Sequence, residues 1–308
     1  MDAQRVLVNW DLGEVTSTDI FSTDRYRCSG NVCFIQAGDA RFVLKRIKRR
    51  NTLDPLFTLL PELHKRGVPV AVPVPTRRGE LAIFRDGDCY YMAPFLYGSV
   101  ISDHFGTGME RRSQSFGVAL AKLHNALKEI TLTSSPADMN LLGQVQACEA
   151  KVRACGISHP IVDILEQTAE AFRLSKPLPS QLIHRDSHAS NVVFLNDEVS
   201  GWLDFELATT GPRLFDLCYY STSLLMDALC EPDQTAKWYS VLKNLVCGYQ
   251  EVNVLNENER TLLPYVLLAI EAIFISYYLG IDDTISAMRN IYALEWIHNN
   301  LELTRVCR

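Results

Sequence analysis

The sequence predicts an α+β fold in two lobes, a small β-rich N-terminal lobe and a larger helical C-terminal lobe. Runs rich in β-branched and aromatic residues fill the first hundred residues, which is typical of strands. From Gly98 onward helical periodicity replaces them. A chain of 308 residues is long enough for both lobes. We expect an N-terminal lobe over 1–97, with a hinge at about 92–97, and a C-terminal lobe over 98–308.

The N-terminal lobe is predicted to contain four strands and one helix. A hairpin turn at 37–40 joins the first two strands. The pair Asp54-Pro55 is typical of a helix start, because a capping side chain is followed by proline, and Gly67 is expected to end that helix. The predicted strands are 31–36, 41–47, 80–85 and 89–95.

Helical periodicity dominates the predicted C-terminal lobe. Residues 113–127 place Phe116, Leu120, Leu123 and Leu127 on one helix face. A more polar helical region is expected at 134–176, and nearly continuous helix after Phe215. The most apolar stretch, 262–279, contains a proline and an acid, which favours a buried helix over a membrane span.

Composition and charge narrow the possible partners. The net charge of −6 and the pI near 5.7 argue against a nucleic-acid binder, which would carry a basic patch. None of the nine cysteines forms a CxxC pair, which favours a reducing compartment. The N-terminus lacks the pattern of a signal peptide. We therefore expect a cytoplasmic monomer or homodimer without membrane or nucleic-acid partners.

The segment after residue 182 has the residue types that phosphoryl transfer needs. Transfer to a hydroxyl requires a carboxylate base, oxygen ligands for Mg²⁺ and a cation on the phosphates. His184-Arg185-Asp186, four further residues and Asn191 fit the catalytic-loop template H-R-D-x-x-x-x-N. Asp204-Phe205-Glu206 stands where a metal-binding Asp-Phe-Gly would, and Lys45 lies on a predicted strand far upstream.

With these motifs the sequence resembles the aminoglycoside phosphotransferase–choline kinase superfamily, a branch of the protein-kinase-like fold. The resemblance spans nearly the whole chain, including Phe42-Val-Leu-Lys45, Leu120-Ala-Lys-Leu-His124 and the run 203–217. It implies a kinase that uses ATP and Mg²⁺, with GTP not excluded, to phosphorylate a hydroxyl of a small molecule.

The resemblance also implies roles for individual residues. Asp186 would be the catalytic base, Asn191 and Asp204 the Mg²⁺ ligands, and Lys45 the contact to the α- and β-phosphates. His184 and Asp216 are expected to hold the loop rather than react. His188 is grouped with them as structural support, although a functional role stays equally open for it.

The nucleotide site departs from the common pattern in its phosphate loop. Residues 28–31 contain a single glycine, so backbone N–H groups and Ser29 are expected to cover the phosphates. Glu62 is the candidate to orient Lys45, although Pro61 disturbs its helix and a solvent-facing role is the alternative.

Backbone groups of the hinge are expected to bind adenine. Pro94 has no N–H, so Ala93 or Phe95 must supply the donor.

The acceptor is expected to be cationic, such as an amino alcohol, an amino acid or an aminoglycoside. Residues 221–308 contain eleven acids and six bases, although surface solvation explains most of these acids equally well. Glu271 differs, because a carboxylate within an apolar run must be paired or face a cavity. It is expected either to bind a substrate amine or to pair with an arginine.

Two other functions stay open at the level of sequence. A Ser/Thr protein kinase would need an activation segment, and only eleven residues separate Asp204 from Asp216. A non-catalytic, kinase-like structural protein usually lacks the base or a metal ligand. Here both are present, which favours a small-molecule kinase.

Overall fold

The computed structural model describes residues 3–21, 31–47, 53–132, 138–157, 159–231 and 233–305. The chain divides into two compact units. The first consists of Met1–Gly98, Ile130–Ser134 and Ser200–Glu206, and the second of Ser99–Glu129, Ser135–Val199 and Leu207–Arg308. The predicted α+β class, with a β-sheet region first and a helical region after it, is confirmed.

The first unit is built on one antiparallel sheet. Its strands are β1 (Val15–Phe21), β2 (Val32–Ala37), β3 (Ala40–Ile47), β4 (Ile83–Arg85) and β5 (Asp88–Pro94). They lie in the order β1-β2-β3-β5-β4. Lys45 of β3 is paired in register with Tyr91 of β5. The predicted strand at 80–85 is observed only over its last three residues.

Two helices cover this sheet, α1 (Ala3–Leu7) and α2 (Leu53–Lys65). Successive side chains of a strand point to opposite faces. Met92 of β5 packs with buried Trp10, whose indole N–H donates to the carbonyl oxygen of Val74 at 2.9 Å. On the other side of β5, Tyr91 contacts Phe57 of α2 edge to face. Because Lys45 of β3 is paired directly with Tyr91 of β5, the two side chains lie on the same face of the sheet.

The second unit contains the remaining helices and short strands. Its helices are α3 (Met109–Lys128), α4 (Leu141–Ala154), α5 (His159–Leu174), α6 (Arg213–Cys230), α7 (Gln234–Gln250), α8 (Glu257–Gly280), α9 (Thr284–Asn299) and α10 (Leu301–Thr304). Its two-stranded sheet joins β6 (Ser180–Ile183) to β9 (Thr209–Pro212). The strand β7 (Val192–Leu195) also lies in this unit, and the strand β8 (Glu198–Trp202) that follows it passes into the first unit at Ser200.

Helices α3 and α7 pack in direct backbone contact. A Cβ at Gly117 of α3 would lie 2.1 Å from the carbonyl oxygen of Leu245, and one at Gly248 of α7 would lie 2.1 Å from that of Gln114. Neither distance is tolerated by a real side chain, so glycine is required at both positions.

Helix α8 crosses the core of the second unit. Asn256 and Glu259 form a capping box at its start, and the helix continues for 24 residues through Pro264. Among the described helices it is the one long and apolar enough to cross a membrane, and 61% of its most apolar window is buried. That burial agrees with the expected core helix.

Candidate active site

The backbone of the predicted catalytic loop is anchored by Asp216. This carboxylate is fully buried and accepts hydrogen bonds from the amides of His184 at 2.8 Å and Arg185 at 2.7 Å. Ser187 adds a bond from its hydroxyl to the Asp216 carbonyl oxygen at 3.0 Å. Arg185 has φ 66, a left-handed conformation that is unfavourable for a residue with a side chain. The bond to Asp216 holds it there.

A buried polar chain extends from Asp216 into the helices of the second unit. His124 contacts Asp216 through Nε2 at 3.1 Å and the Tyr249 hydroxyl through Nδ1 at 2.8 Å. Arg213, whose guanidinium carbon lies 5.8 Å from the centre of the Tyr249 ring, forms a two-point ion pair with Glu259 at 2.7 and 2.9 Å. Every member of this chain has a partner, so the loop is held by a satisfied network.

Asp186 and Asn191 lie together at the end of this loop. The Asn191 amide nitrogen donates to the Asp186 carboxylate and to its carbonyl oxygen, both at 2.9 Å. His188 accepts the amide of Ser190 through Nδ1, and its Nε2 lies 3.7 Å from Asp186. Buried His184 accepts the Asp186 amide through Nδ1. Both histidines therefore accept hydrogen bonds from the loop backbone, as expected of residues that support the loop.

Tyr219 is a site residue that sequence reasoning missed. Its hydroxyl lies 3.4 Å from the Asp186 carboxylate. Burial raises the pKa of Tyr219 well above its ordinary value, and the negative charge of Asp186 raises it further. The phenol therefore stays protonated and can donate to Asp186. It lies on the second turn of α6, at a position that no motif marks.

In the first unit, Lys45 and Asp204 form an ion pair, with Nζ and Oδ1 3.4 Å apart. Burial opposes the charge of Lys45, but Asp204, Tyr91 and Glu206 outweigh it and raise its pKa above the ordinary value. Burial also raises the pKa of Tyr91 to about 12. Lys45 is therefore a permanent cation beside the predicted metal ligand.

Glu62 lies in a different setting from the one expected for a partner of Lys45. Its carboxylate pairs with Lys65 at 2.7 Å and Arg66 at 2.6 Å on the same helix, and these partners lower its pKa. The stated alternative, a solvent-facing helix residue, describes this geometry. Ser29 and the rest of its loop fall outside the described residues.

The predicted adenine donors are both on or beside β5. Ala93 is buried and paired in register with Val43 of β3. The Phe95 amide donates to the carbonyl oxygen of Arg41 at 2.9 Å. Each residue is therefore part of the β3–β5 pairing, and the Phe95 amide would have to exchange that bond to serve adenine.

Glu271 is buried in α8, with an exposed fraction of 2%. Its Oε2 has no hydrogen-bond partner among the described residues. Burial raises the pKa of this carboxyl to about 8. The arginine pair that was one of the two expectations is not observed in the described part of the chain.

Asn191 of the second unit and Asp204 of the first each carry an oxygen donor of the kind that fits a magnesium ion. Oxygen ligands suit Mg²⁺, which commonly takes one or two from protein and the rest from phosphates and water. Because Asp186 occupies the Asn191 amide nitrogen, the amide oxygen is the atom that would bind metal. Asp204 keeps a side chain that is 36% exposed.

Known proteins with related sequences are kinases. Residues 28–240 match the profile of the phosphotransferase enzyme family. A homoserine kinase of Rhizobium etli is 30% identical over 71% of this chain and 66% of its own length, slightly under two thirds. A homoserine kinase of Neisseria meningitidis is 26% identical over 84% of this chain and 81% of its own.

Solved structures with the same fold include kinases that are named for different substrates. An amicoumacin kinase in complex with AMP-PNP and Ca²⁺ has a TM-score of 0.72 at 14% identity, covering 96% of this chain and 93% of its own. A microcompartment-associated aminopropanol kinase has a TM-score of 0.69 at 15% identity, covering 99% and 98%. The resemblance predicted from the motifs is confirmed. The chain belongs to the phosphotransferase enzyme family.

Proposed function

We propose that this protein is an ATP- and Mg²⁺-dependent kinase that phosphorylates the hydroxyl of a small amine-bearing acceptor, with homoserine as the first candidate. The observation that carries the proposal is the loop in which Asp216 fixes the backbone and Asn191 holds the Asp186 carboxylate at 2.9 Å. A carboxylate fixed in this way suits a base that must meet one hydroxyl proton.

In the proposed reaction the acceptor oxygen attacks the γ-phosphorus of ATP. Its proton passes to the Asp186 carboxylate, a new P–O bond forms, and the bond from the γ-phosphorus to the bridging oxygen breaks to release ADP. Tyr219 and Asn191 hold Asp186 during this step, since each contacts its carboxylate. Lys45 would bind phosphate oxygens through its permanent charge.

Asn191 and Asp204 would hold Mg²⁺, which supplies charge neutralisation of the phosphate oxygens when bound. In the first unit Lys45 Nζ lies 3.4 Å from the Asp204 carboxylate, so the phosphate-binding cation would stand next to one of the metal ligands. A structural neighbour in complex with AMP-PNP and Ca²⁺ supports the use of a nucleotide and a divalent ion.

Homoserine is the first candidate because the curated relatives described above are homoserine kinases. An amino alcohol is the second, because the aminopropanol kinase has the same fold along nearly its whole length. Both compounds carry a hydroxyl and an ammonium a few bonds apart. The proposed acceptor must carry these same two groups.

The test measures acceptor-dependent ADP release from Mg·ATP with homoserine, 1-amino-2-propanol, choline and kanamycin, followed by ³¹P NMR of the product. Asp186→Asn and Asp204→Asn should each reduce turnover about 10²–10⁴-fold with an unchanged circular dichroism spectrum. Asp233→Asn is the matched control, because Asp233 is exposed and its side chain makes no capping bond.

The proposal fails if none of these compounds stimulates ADP release although the protein binds Mg·ATP. If casein were phosphorylated and none of the small molecules were, the alternative of a Ser/Thr protein kinase would be favoured instead. Turnover of Asp186→Asn within threefold of wild type would remove Asp186 from its role.

A further inference from the structure

Helix α8 carries a buried acid, Glu271, for which the described residues provide no ion-pair partner. Glu271 has an exposed fraction of 2%, and its Oε2 lacks a hydrogen-bond partner among the described residues. A buried carboxylate without a partner is strongly unfavourable, so such groups are usually paired or serve a ligand. The raised pKa of Glu271, about 8, has burial as its cause.

Aromatic side chains lie beside Glu271 on the same helix face and on α6. Phe274 and Tyr278 follow Glu271 at helical spacings of three and seven residues, and each is half-buried. The Phe274 ring stacks with Tyr219 at 5.6 Å and with Tyr278 at 6.3 Å between centroids. Because these rings are partly exposed, the cluster reaches solvent.

Tyr219 connects this cluster to the proposed base. Its hydroxyl lies 3.4 Å from Asp186, and the negative charges of both Asp186 and Glu271 act on it. Both carboxylates therefore lie within electrostatic range of one phenol. An acceptor hydroxyl that contacts Asp186 would therefore lie beside the phenol of Tyr219, whose ring stacks on Phe274 of the helix that carries Glu271.

We propose that Glu271, together with the rings of Tyr219 and Phe274, binds the ammonium group of the phosphate acceptor. The inference rests on the proposed function, which it deepens by assigning the acceptor a cationic group close to its reacting hydroxyl. The carboxylate supplies the counter-charge, and aromatic faces attract cations that have lost part of their water.

This site requires two different groups on the acceptor. The hydroxyl would contact Asp186 and the ammonium would contact Glu271. Compact amino alcohols and hydroxy amino acids meet this requirement. A neutral sugar would leave Glu271 without a counter-charge and would gain nothing from the aromatic rings.

The experiment compares pairs of acceptors that differ only in the amine: homoserine with 4-hydroxybutanoate, and 1-amino-2-propanol with propan-2-ol. The quantity measured is the ratio of kcat/KM for the amine to kcat/KM for its amine-free counterpart. Glu271→Gln keeps the shape of the side chain and removes its charge. Glu257→Gln changes an exposed glutamate in the first turn of the same helix and serves as the matched control.

Glu271→Gln should lower that ratio at least about 30-fold, mainly through KM of the amine, because one partner of a buried charge pair is lost. Glu257→Gln should leave the ratio within threefold of wild type. An unchanged ratio in Glu271→Gln, or a wild type that does not prefer amines, overturns the inference and leaves the kinase proposal intact.

Failure of the kinase proposal gives a different result: the wild type binds Mg·ATP but turns over neither member of any acceptor pair. The inference is then decided by calorimetric titration of homoserine and 1-amino-2-propanol into wild type and Glu271→Gln. Amine binding that is weakened at least about tenfold by the substitution supports it. Equal binding, or none, overturns it.

Discussion

The substitution Asp216→Asn tests how the catalytic loop is held. In the folded protein the two carboxylate oxygens accept the amides of His184 and Arg185 at 2.8 and 2.7 Å. Asparagine can replace one oxygen, but its amino group must then face the other backbone N–H. The substitution therefore removes one acceptor and places two donors against each other in a fully buried site.

The size of the effect follows from these two terms. A hydrogen bond to a charged acceptor contributes about 1.5–3 kcal/mol, and a buried donor left unsatisfied costs about 1–3 kcal/mol. We expect Asp216→Asn to reduce the free energy of unfolding by about 3–5 kcal/mol. Because Asp186 follows Arg185 directly, a loop displaced by about 1 Å should also lower kcat by about 10²-fold.

The assay combines urea unfolding, followed by circular dichroism, with acceptor-dependent ADP release at a temperature where the variant stays folded. The exposed Asp233→Asn serves again as the control and should change the free energy of unfolding by no more than about 0.5 kcal/mol. If Asp216→Asn unfolds within about 1 kcal/mol of wild type and keeps kcat within threefold, the anchoring role of Asp216 is refuted.

Two further predictions concern the helices. Gly117→Ala should destabilise the protein by about 1–3 kcal/mol despite the better helix propensity of alanine, because the new Cβ would lie 2.1 Å from the Leu245 carbonyl oxygen. A Cβ at Gly143 would instead meet the movable Asn140 side chain, so Gly143→Ala should change the free energy of unfolding by about 1 kcal/mol or less. Urea unfolding measures both variants, and equal destabilisation by the two substitutions would contradict the argument. Folding raises the pKa of Glu271 from 4.5 to about 8. Between these pH values the native state therefore holds a proton that the unfolded chain releases. As the pH rises through this range, Glu271 lowers the free energy of unfolding progressively. Glu271→Gln should therefore gain stability relative to wild type from pH 5 to pH 8, and a difference in urea midpoint that is the same at both pH values would refute this.

The elements of the fold could be predicted where the pattern is local. The strands around Lys45 and the helix over 113–127 follow from β-branched content and apolar periodicity within short windows. The start of α2 differs from the prediction by two residues, Leu53 instead of Pro55, which is the usual uncertainty of a helix end. The brief strand at Ile83–Arg85 was predicted too long, because turn residues precede it.

Contacts between distant parts of the chain could not be predicted in this way. The pairing of Arg213 with Glu259 and the contact of His124 with Asp216 join residues that no shared period connects. Likewise the carboxylate beside Lys45 is that of Asp204, whereas Glu62, the candidate that sequence spacing offered, pairs with Lys65 and Arg66. Sequence spacing can identify a candidate acid, but tertiary packing decides which acid lies beside the lysine.

The two halves of the candidate site differ in how the chain encodes them. The base and its amide partner, Asp186 and Asn191, lie five residues apart, so one turn brings them together and a motif can describe them. Tyr219 lies on α6 and Glu271 on α8, and these helices pack together through side chains such as the stacked rings of Tyr219 and Phe274. If Glu271 binds the acceptor as proposed, substitutions on α8 should change the acceptor without moving the base. For that reason a family with one phosphoryl-transfer loop can serve many acceptors, and the choice of acceptor must be sought on the helices rather than in the motif.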